Sequence, residues 1–197
     1  MSAAMDASPD DAVGQDAAEA TLERWLARER EVRLLAGAPG KAAAAAVGTC
    51  SGIEFLQRMA RGELPSPPIA QTLDFVLVEA EQGAIAFQGT PKADYYNPLG
   101  TIHGGYVTTL LDSALACSVQ SVLDAGMGLT TIELKINFVR PLTDRTGPVR
   151  AEGKVISVTR RIGVAEARLV DAAGRLYAWG STTCLIFPMP SDDRSAS

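Results

Sequence analysis

The spacing of hydrophobic residues separates a helical N-terminal part of the chain from a longer part in which apolar and polar residues mostly alternate. Apolar residues at helical spacing predict two amphipathic helices, from Thr21 to about Ala36 and from Ser51 to Arg61. Thr21 is a typical N-cap residue for the first helix. The Pro-rich segment 64–70 is expected to be extended, because each proline restricts the residue before it.

Alternation of apolar and polar residues predicts six strands in the second part of the chain. The strands cover residues 73–80, 83–90, 130–141, 153–159, 163–171 and 175–187. One uninterrupted helix, from Tyr106 to about Leu123, separates the second strand from the third, and it is apolar nearly all round. Such a helix is buried, so we expect an α+β fold in which a curved antiparallel sheet wraps around it. A doubly wound α/β fold would need helices between most strands.

This pattern predicts one domain with a helical extension. Residues 1–20 are rich in Ala, Asp and Ser without periodicity, which predicts a disordered tail, and residues 21–68 form the extension. The main domain takes residues 69–188, and residues 189–197 are a second tail. With 197 residues and 47% hydrophobic content, the chain can bury one sizeable core.

Composition and charge exclude some classes of function but do not select one. The net charge of −5 and the pI near 4.9 argue against a dedicated nucleic-acid-binding protein. The N-terminus is acidic and lacks an apolar signal-peptide core, and no apolar stretch of about 18 residues could span a membrane. We therefore expect a cytoplasmic protein with neither a nucleic-acid nor a membrane partner.

The cysteines do not form a recognisable pattern. Cys50, Cys117 and Cys184 are an odd number at irregular spacing, so we expect neither disulfides nor a metal site, and all three should be small buried residues. A serine hydrolase is also disfavoured, because the chain has no G-x-S-x-G motif.

Candidate chemistry is concentrated in residues 97–114, which read N-P-L-G-T-I-H-G-G-Y-V-T-T-L-L-D-S-A. His103, the only histidine, and the pair Gly104-Gly105 precede the buried helix. Backbone N–H groups in a first helical turn lack partners, and the helix dipole adds about half a positive charge, so this end can hold an oxyanion. Glycine lets another molecule's carbonyl approach closely. Asp112 lies among apolar residues, where a carboxylate is costly without compensation.

Each of these residues also has an ordinary structural explanation. A single histidine is commonly a hydrogen-bonded loop residue, and a buried carboxylate such as Asp112 is commonly paired within the core. Asn97 before Pro98 is typical of a turn. The joint spacing favours a functional interpretation over these separate ones.

The combination of Asn97, His103-Gly104-Gly105 and Asp112 resembles the active-site signature of hot-dog-fold acyl-CoA thioesterases, in particular the PaaI-like group of the phenylacetate pathway. The strand 130–141, which ends in Arg140-Pro141, resembles the family's central strand. The resemblance extends over about residues 73–187. It implies the hot-dog fold, the same sheet around one helix that the alternation predicts.

The resemblance also implies an active site shared between subunits, and therefore a homodimer or homotetramer. The thioester carbonyl would accept a hydrogen bond from the Gly104 N–H at the helix N-terminus. Asp112 of the partner subunit would approach from the other side, either as the nucleophile or as the base that deprotonates a water. The sequence does not separate these two roles.

The remaining matched positions have subsidiary roles in the same resemblance. Asn97 would polarise the thioester or hold the water, and His103 would fix the loop or contact the thioester. Thr130, with Thr131 as its alternative, would orient the water, and Gly105 would line the binding turn. Cationic side chains would bind the phosphates of coenzyme A, with Arg160 and Arg161 preferred over the other candidates, which are Lys135, Arg140, Arg150 and Lys154.

The expected function is hydrolysis of an acyl-CoA to free acid and coenzyme A, without a metal or redox cofactor, since coenzyme A is part of the substrate. Tyr95, Tyr96 and Tyr106 would suit an aryl or short- to medium-chain acyl group. A hot-dog dehydratase or hydratase is disfavoured, because the acid follows the histidine by nine residues on the same helix. A non-catalytic acyl-CoA sensor would usually add a basic DNA-binding helix, which the first 63 residues lack.

Overall fold

The structure is a computed structural model that describes residues 9–36 and 46–189. Its α-helices are α1 (Pro9–Leu35), α2 (Gly52–Ala60), α3 (Pro68–Thr72) and α4 (Gly104–Gln120). Its strands are β1 (Phe75–Glu81), β2 (Ala84–Gly89), β3 (Met127–Phe138), β4 (Val149–Val158), β5 (Ile162–Asp171) and β6 (Leu176–Pro188). A 3₁₀ turn spans Ala93–Tyr95 between β2 and α4.

All six strands form one antiparallel sheet in the order β1-β2-β4-β5-β6-β3. Helix α4 packs across one face of this sheet, where it contacts β2 to β6. The predicted antiparallel sheet around one central helix is therefore confirmed, and the six strands lie close to their predicted positions. The strands β1 and β3 form the two edges of the sheet.

Two glycines allow α4 to lie directly on the sheet. A Cβ atom on Gly153 of β4 would lie 2.5 Å from the Ala114 carbonyl oxygen, and one on Gly163 of β5 would overlap Val119. Any side chain at these positions would lift the helix off the strands. The resulting contact buries eight residues of α4, namely Tyr106, Val107, Leu110, Leu111, Ala114, Leu115, Ser118 and Val119.

The helix boundaries differ from the prediction at the N-terminus. Helix α1 begins at Pro9 and not at Thr21, so residues 9–20 are helical where we expected a disordered tail. Proline at a first helical position and acidic residues in a first turn both favour a helix start. Because residues 14–20 are mostly exposed, this stretch has no apolar periodicity to detect. Residues 1–8 lie outside the described part of the chain.

Two smaller boundary corrections lie nearer the site. Residues 68–72 form helix α3 where we expected extended chain through residue 70, because Pro68 occupies the first helical position, which tolerates proline. Helix α4 begins at Gly104, earlier than the predicted Tyr106, and ends at Gln120. The division of the chain at residue 68 stays a prediction, and the expected tail at 189–197 lies outside the described residues apart from Met189.

Helix α1 covers part of the face of the sheet opposite α4, at β1, β2 and β4, through a buried polar network. Arg150 of β4 is 5% exposed, and its Nε donates to the Gln88 side-chain oxygen at 2.7 Å. The same guanidinium pairs with Glu79 and lies 4.4 Å from the centre of the Trp25 ring. Gln88 in turn donates to the Glu29 carboxylate at 2.6 Å. Arg150 is therefore a structural residue, and our expectation that it could bind substrate phosphates is wrong.

None of the helices in the described residues is both long enough and apolar enough to cross a membrane.

The Arg150 network should contribute strongly to stability. We expect Arg150→Ala to lower the free energy of unfolding by about 3 kcal/mol, because it leaves Gln88 buried without its donor and uncovers the Trp25 ring. Arg168→Ala on the exposed side of β5 should change it by less than about 0.5 kcal/mol. Urea unfolding of both variants at one protein concentration tests this, and equal midpoints would contradict it.

Candidate active site

The loop before α4 is held in shape by Asn97. Its side-chain oxygen accepts hydrogen bonds from the N–H groups of Leu99 at 2.9 Å and Thr101 at 3.3 Å. Its side-chain nitrogen donates to the Thr101 hydroxyl at 2.9 Å. The Asn97 amide thus satisfies its own loop, as expected for an asparagine in a turn. It also lines the cleft described below, together with Gly104, and its role there stays a prediction.

His103 is the N-cap residue of α4. Its Nδ1 accepts a hydrogen bond from the Gly105 N–H at 2.8 Å, and its own backbone N–H donates to the Tyr95 carbonyl at 2.7 Å. One of the orphan donors of the first turn is therefore already occupied. The Gly104 N–H, in contrast, has no acceptor among residues 9–36 and 46–189. Gly104 is the donor of this pair that remains available to a ligand.

Each glycine of the pair is required by a different neighbour. A Cβ on Gly105 would lie 2.9 Å from the Nδ1 of His103, so a side chain there would disturb the cap. A Cβ on Gly104 would lie 3.1 Å from Cζ of Phe138, which projects from the end of β3. The two glycines are therefore needed for close packing within the chain as well as for the approach of a ligand.

A cleft of about 430 Å³ opens beside Gly104. The side chains of Ile102, Val107 and Leu142 give it a buried apolar floor. Arg140 lines its edge, donates to the Leu176 carbonyl at 3.1 Å and lies over the Tyr177 ring. The remaining lining residues are Asn97, Thr101, Gly104, Phe138, Val139 and Pro141.

Asp112 lies further along α4, where it is half-buried. The Thr131 hydroxyl donates to its carboxylate at 3.1 Å, and no cation pairs with it in the described residues. Its charge acts on the thiols nearby. Burial, with a smaller contribution from Asp112, raises the pKa of Cys117 to about 12. Burial also raises the pKa of Cys184. Both thiols therefore stay protonated at neutral pH, so neither is a thiolate beside Asp112.

Gly104 and Asp112 of one chain are too far apart to act on one carbonyl group. They are eight positions apart in the helix, which corresponds to about 12 Å along the axis of α4. Asp112 faces Thr131 in the first half of β3, whereas Gly104 faces Phe138 at its end. A single chain therefore presents the two groups at two separate places along β3.

The predicted threonine and cationic residues fall into two groups. Thr131 points toward α4, while Thr130 is exposed and pairs with Leu185 on the opposite face of the sheet. Arg140 lines the cleft, but Lys135 is exposed on the same outer face as Thr130. Arg160 and Arg161 are exposed in the turn between β4 and β5. That turn precedes Gly163, which contacts Val119 near the far end of α4. One chain does not bring these two arginines to the cleft.

The aromatic residue at the cleft is not one that the sequence analysis selected. Within the described residues, Tyr95, Tyr96 and Tyr106 do not line the cleft. Tyr95 stacks on the buried Tyr106 ring, and the Tyr96 hydroxyl donates to Asp144 at 2.7 Å. Phe138 lines the cleft in their place. The alternation of apolar residues in β3 was a signal for its inward orientation, whereas no pattern singled out Leu142 in its loop.

Comparison with known proteins identifies the family of this chain. The family model described as "Thioesterase superfamily" matches residues 99–178. A "putative esterase" of Saccharolobus solfataricus is 33% identical over 110 residues, which cover 56% of this chain and 76% of that protein. The chain belongs to the thioesterase superfamily. It is a thioester hydrolase, as predicted from the sequence.

Solved structures share the fold of this chain. A "putative thioesterase, phenylacetic acid degradation-related protein" from Ralstonia eutropha aligns with a TM-score of 0.60 and 28% identity, covering 66% of this chain and 98% of that one. The PaaI protein of E. coli, from the phenylacetic acid degradation operon, aligns with a TM-score of 0.57 and 20% identity, covering 64% and 87%. These neighbours confirm the predicted hot-dog fold.

The cap made by His103 gives a prediction for the thioesterase. His103→Ala removes the acceptor of the Gly105 N–H and should lower the free energy of unfolding by about 1 kcal/mol. His103→Asn supplies another capping oxygen and should recover most of that loss. If His103 acts through the cap alone, turnover should recover together with stability. Full stability without recovered turnover in His103→Asn would assign the imidazole a direct role in the reaction.

Proposed function

We propose that this thioesterase hydrolyses an acyl-CoA at a site composed of two chains. The thioester carbonyl binds in the cleft and accepts a hydrogen bond from the Gly104 N–H of one chain, and Asp112 of the partner subunit supplies the reactive carboxylate. The observation that supports this best is the Gly104 N–H, which has no acceptor within the described residues and lies beside an apolar cleft. The dipole of α4 adds to the attraction for the developing oxyanion.

The shape of β3 supports pairing between two copies of the chain. This strand of 12 residues lies at a sheet edge, where its backbone groups are free to pair with another strand. It also exposes large apolar side chains, with Ile132 55% and Phe138 57% accessible in the single chain. An edge of this length and composition favours association unless it is covered. A second copy covers it symmetrically.

Antiparallel pairing of two β3 strands explains how the reactive groups meet. In such a pair, the Phe138 end of one strand lies beside the Thr131 end of the other. Gly104 contacts Phe138 and Asp112 contacts Thr131, so the pairing moves Gly104 toward Asp112 of the partner subunit. The distance between Gly104 and Asp112 within one chain is then what a site composed of two chains needs. Two equivalent sites arise from one symmetric interface.

The chemistry needs one proton acceptor and one oxyanion donor. In the general-base route, Asp112 takes a proton from water while the water oxygen attacks the thioester carbonyl carbon. The Gly104 N–H holds the negative oxygen of the tetrahedral intermediate. Collapse of the intermediate breaks the carbon–sulfur bond, and the coenzyme A thiolate takes back the proton from Asp112. In the nucleophilic route, the Asp112 carboxylate attacks the carbonyl carbon, the carbon–sulfur bond breaks, and an anhydride and the coenzyme A thiolate form. Water then cleaves the anhydride to the free acid and the Asp112 carboxylate, and the proton that the water releases goes to the thiolate.

The other site residues have supporting roles in this proposal. Thr131 orients the Asp112 carboxylate through its hydroxyl, and Asn97 and His103 shape the turn that presents Gly104. Arg140 offers a cation at the edge of the cleft for a phosphate of coenzyme A. Arg161 of the partner subunit offers a second. Its carbonyl accepts a hydrogen bond from the Ile186 N–H, and Ile186 pairs with Leu129 in the half of β3 that contacts Asp112. Coenzyme A belongs to the substrate, and the steps described use only the chain's own residues.

The role of Asp112 is tested by the release of free thiol from short, medium, long and aryl acyl-CoA esters. Asp112→Asn keeps the size and one hydrogen-bonding oxygen but removes the base, so turnover should fall by about a hundredfold or more with every ester. Asp124→Asn, at an exposed position, should retain the native rate. An ester that binds without releasing thiol in the native chain would favour the acyl-CoA sensor, and an unchanged rate in Asp112→Asn would exclude its catalytic role.

The role of the Gly104 N–H is tested by a matched pair of substitutions. Gly104→Pro removes the N–H, and proline suits the first helical position because His103 already has extended backbone angles. Turnover should fall by about a hundred- to a thousandfold. Gly104→Ala also adds a Cβ but keeps the N–H, so its loss should be about tenfold or less. Equal losses in the two variants would show that the side chain matters and the donor does not.

A further inference from the structure

We infer that Phe138 limits the size of the acyl group and positions the carbonyl against Gly104, an inference that rests on the proposed function. Two observations combine at this residue. Its ring contacts the Cα side of Gly104, since a Cβ there would lie 3.1 Å from Cζ and 3.3 Å from Cε1. The same ring lines the cleft and remains 57% exposed in the single chain.

The fold gives the Phe138 ring its place above the helix start. Phe138 pairs with Ala178 of β6, a small residue that is fully buried. The small partner leaves room for the ring to lean from the sheet toward α4. Since β3 ends at Phe138, the ring stands at the open side of the cleft, while Val107 and Leu142 form its buried floor. The ring therefore forms one wall of the cleft, and its removal leaves the hydrophobic core of the chain intact.

An acyl group bound with its carbonyl at the Gly104 N–H has to pass this wall. A planar ring in contact with Gly104 leaves little space for bulk close to the carbonyl carbon. The same contact restricts movement of the first turn of α4, and therefore the direction of the Gly104 N–H. Phe138 thus acts in two ways, as a steric limit that touches the substrate and as a positioning residue for the donor.

The steric limit is tested by comparing kcat/KM for acetyl-CoA and for a bulkier ester, such as octanoyl-CoA or phenylacetyl-CoA. Phe138→Ala should raise the ratio of bulky to acetyl ester by about tenfold or more, and Phe138→Leu should raise it less. Ile156→Ala serves as the control, because Ile156 is 56% exposed on β4 and does not line the cleft in the described chain. Its ratio should stay native.

The positioning role is tested by combining substitutions at both ends of the contact. Gly104→Ala pushes against the ring, so it should lower kcat in the native background more than it does in Phe138→Ala. If Phe138 has only a structural role, Phe138→Ala should change kcat/KM by the same factor for every ester. The kcat losses caused by Phe138→Ala and Gly104→Ala should then also be additive in the double variant. Either result would overturn the inference. A fall in the bulky-to-acetyl ratio would overturn it as well.

Failure of the inference is distinguishable from failure of the proposed function. If the native chain cleaves acyl-CoA and Asp112→Asn does not, the proposed function stands, and uniform effects at Phe138 then reject the size limit alone. If Asp112→Asn is as active as the native chain, the proposed function itself is wrong. The acetyl and bulky esters serve in both comparisons, so one set of assays separates the two cases.

Discussion

The hydrogen bond between the Gly105 N–H and Nδ1 of His103 determines what the start of α4 can do. It occupies one donor of the first turn and leaves the Gly104 N–H without an acceptor in the described part of the chain. A helix end with every donor capped within the chain would be stable but unavailable to a ligand. The loop held by Asn97 and the ring of Phe138 fix the same turn from two sides. The cleft therefore faces a donor that is already oriented.

The two faces of the sheet and its β3 edge make different contacts. One face takes α4 at Gly153 and Gly163, where the absence of side chains allows close contact. The other is covered by α1 only at β1, β2 and β4, where the buried Arg150 has its polar partners within the chain. The edge strand β3 has no partner strand on its free side within the described residues. Because Gly104 and Asp112 contact different ends of β3, the free edge and the divided site are consistent with one another.

Most of the fold was predictable, because strands with alternating residues and one continuously apolar helix leave few arrangements. Residue-level errors have local causes. A β-bulge between Thr131 and Glu133 reverses the alternation of β3, so the inward residue is Thr131, which the sequence analysis ranked below Thr130. Arg161 lies away from the cleft because the turn after β4 packs near the C-terminal end of α4. This packing depends on residues far apart in the chain, so no local sequence pattern predicts it.

The composite site is tested most directly by a mixed dimer of Gly104→Pro and Asp112→Asn chains, isolated with two different affinity tags. If the donor and the carboxylate come from different chains, one of the two sites in this dimer is native, and turnover should return to about half of the native value. Each variant alone should stay nearly inactive. A mixed dimer as inactive as its parents would contradict the account, because every site would then depend on both residues of a single chain.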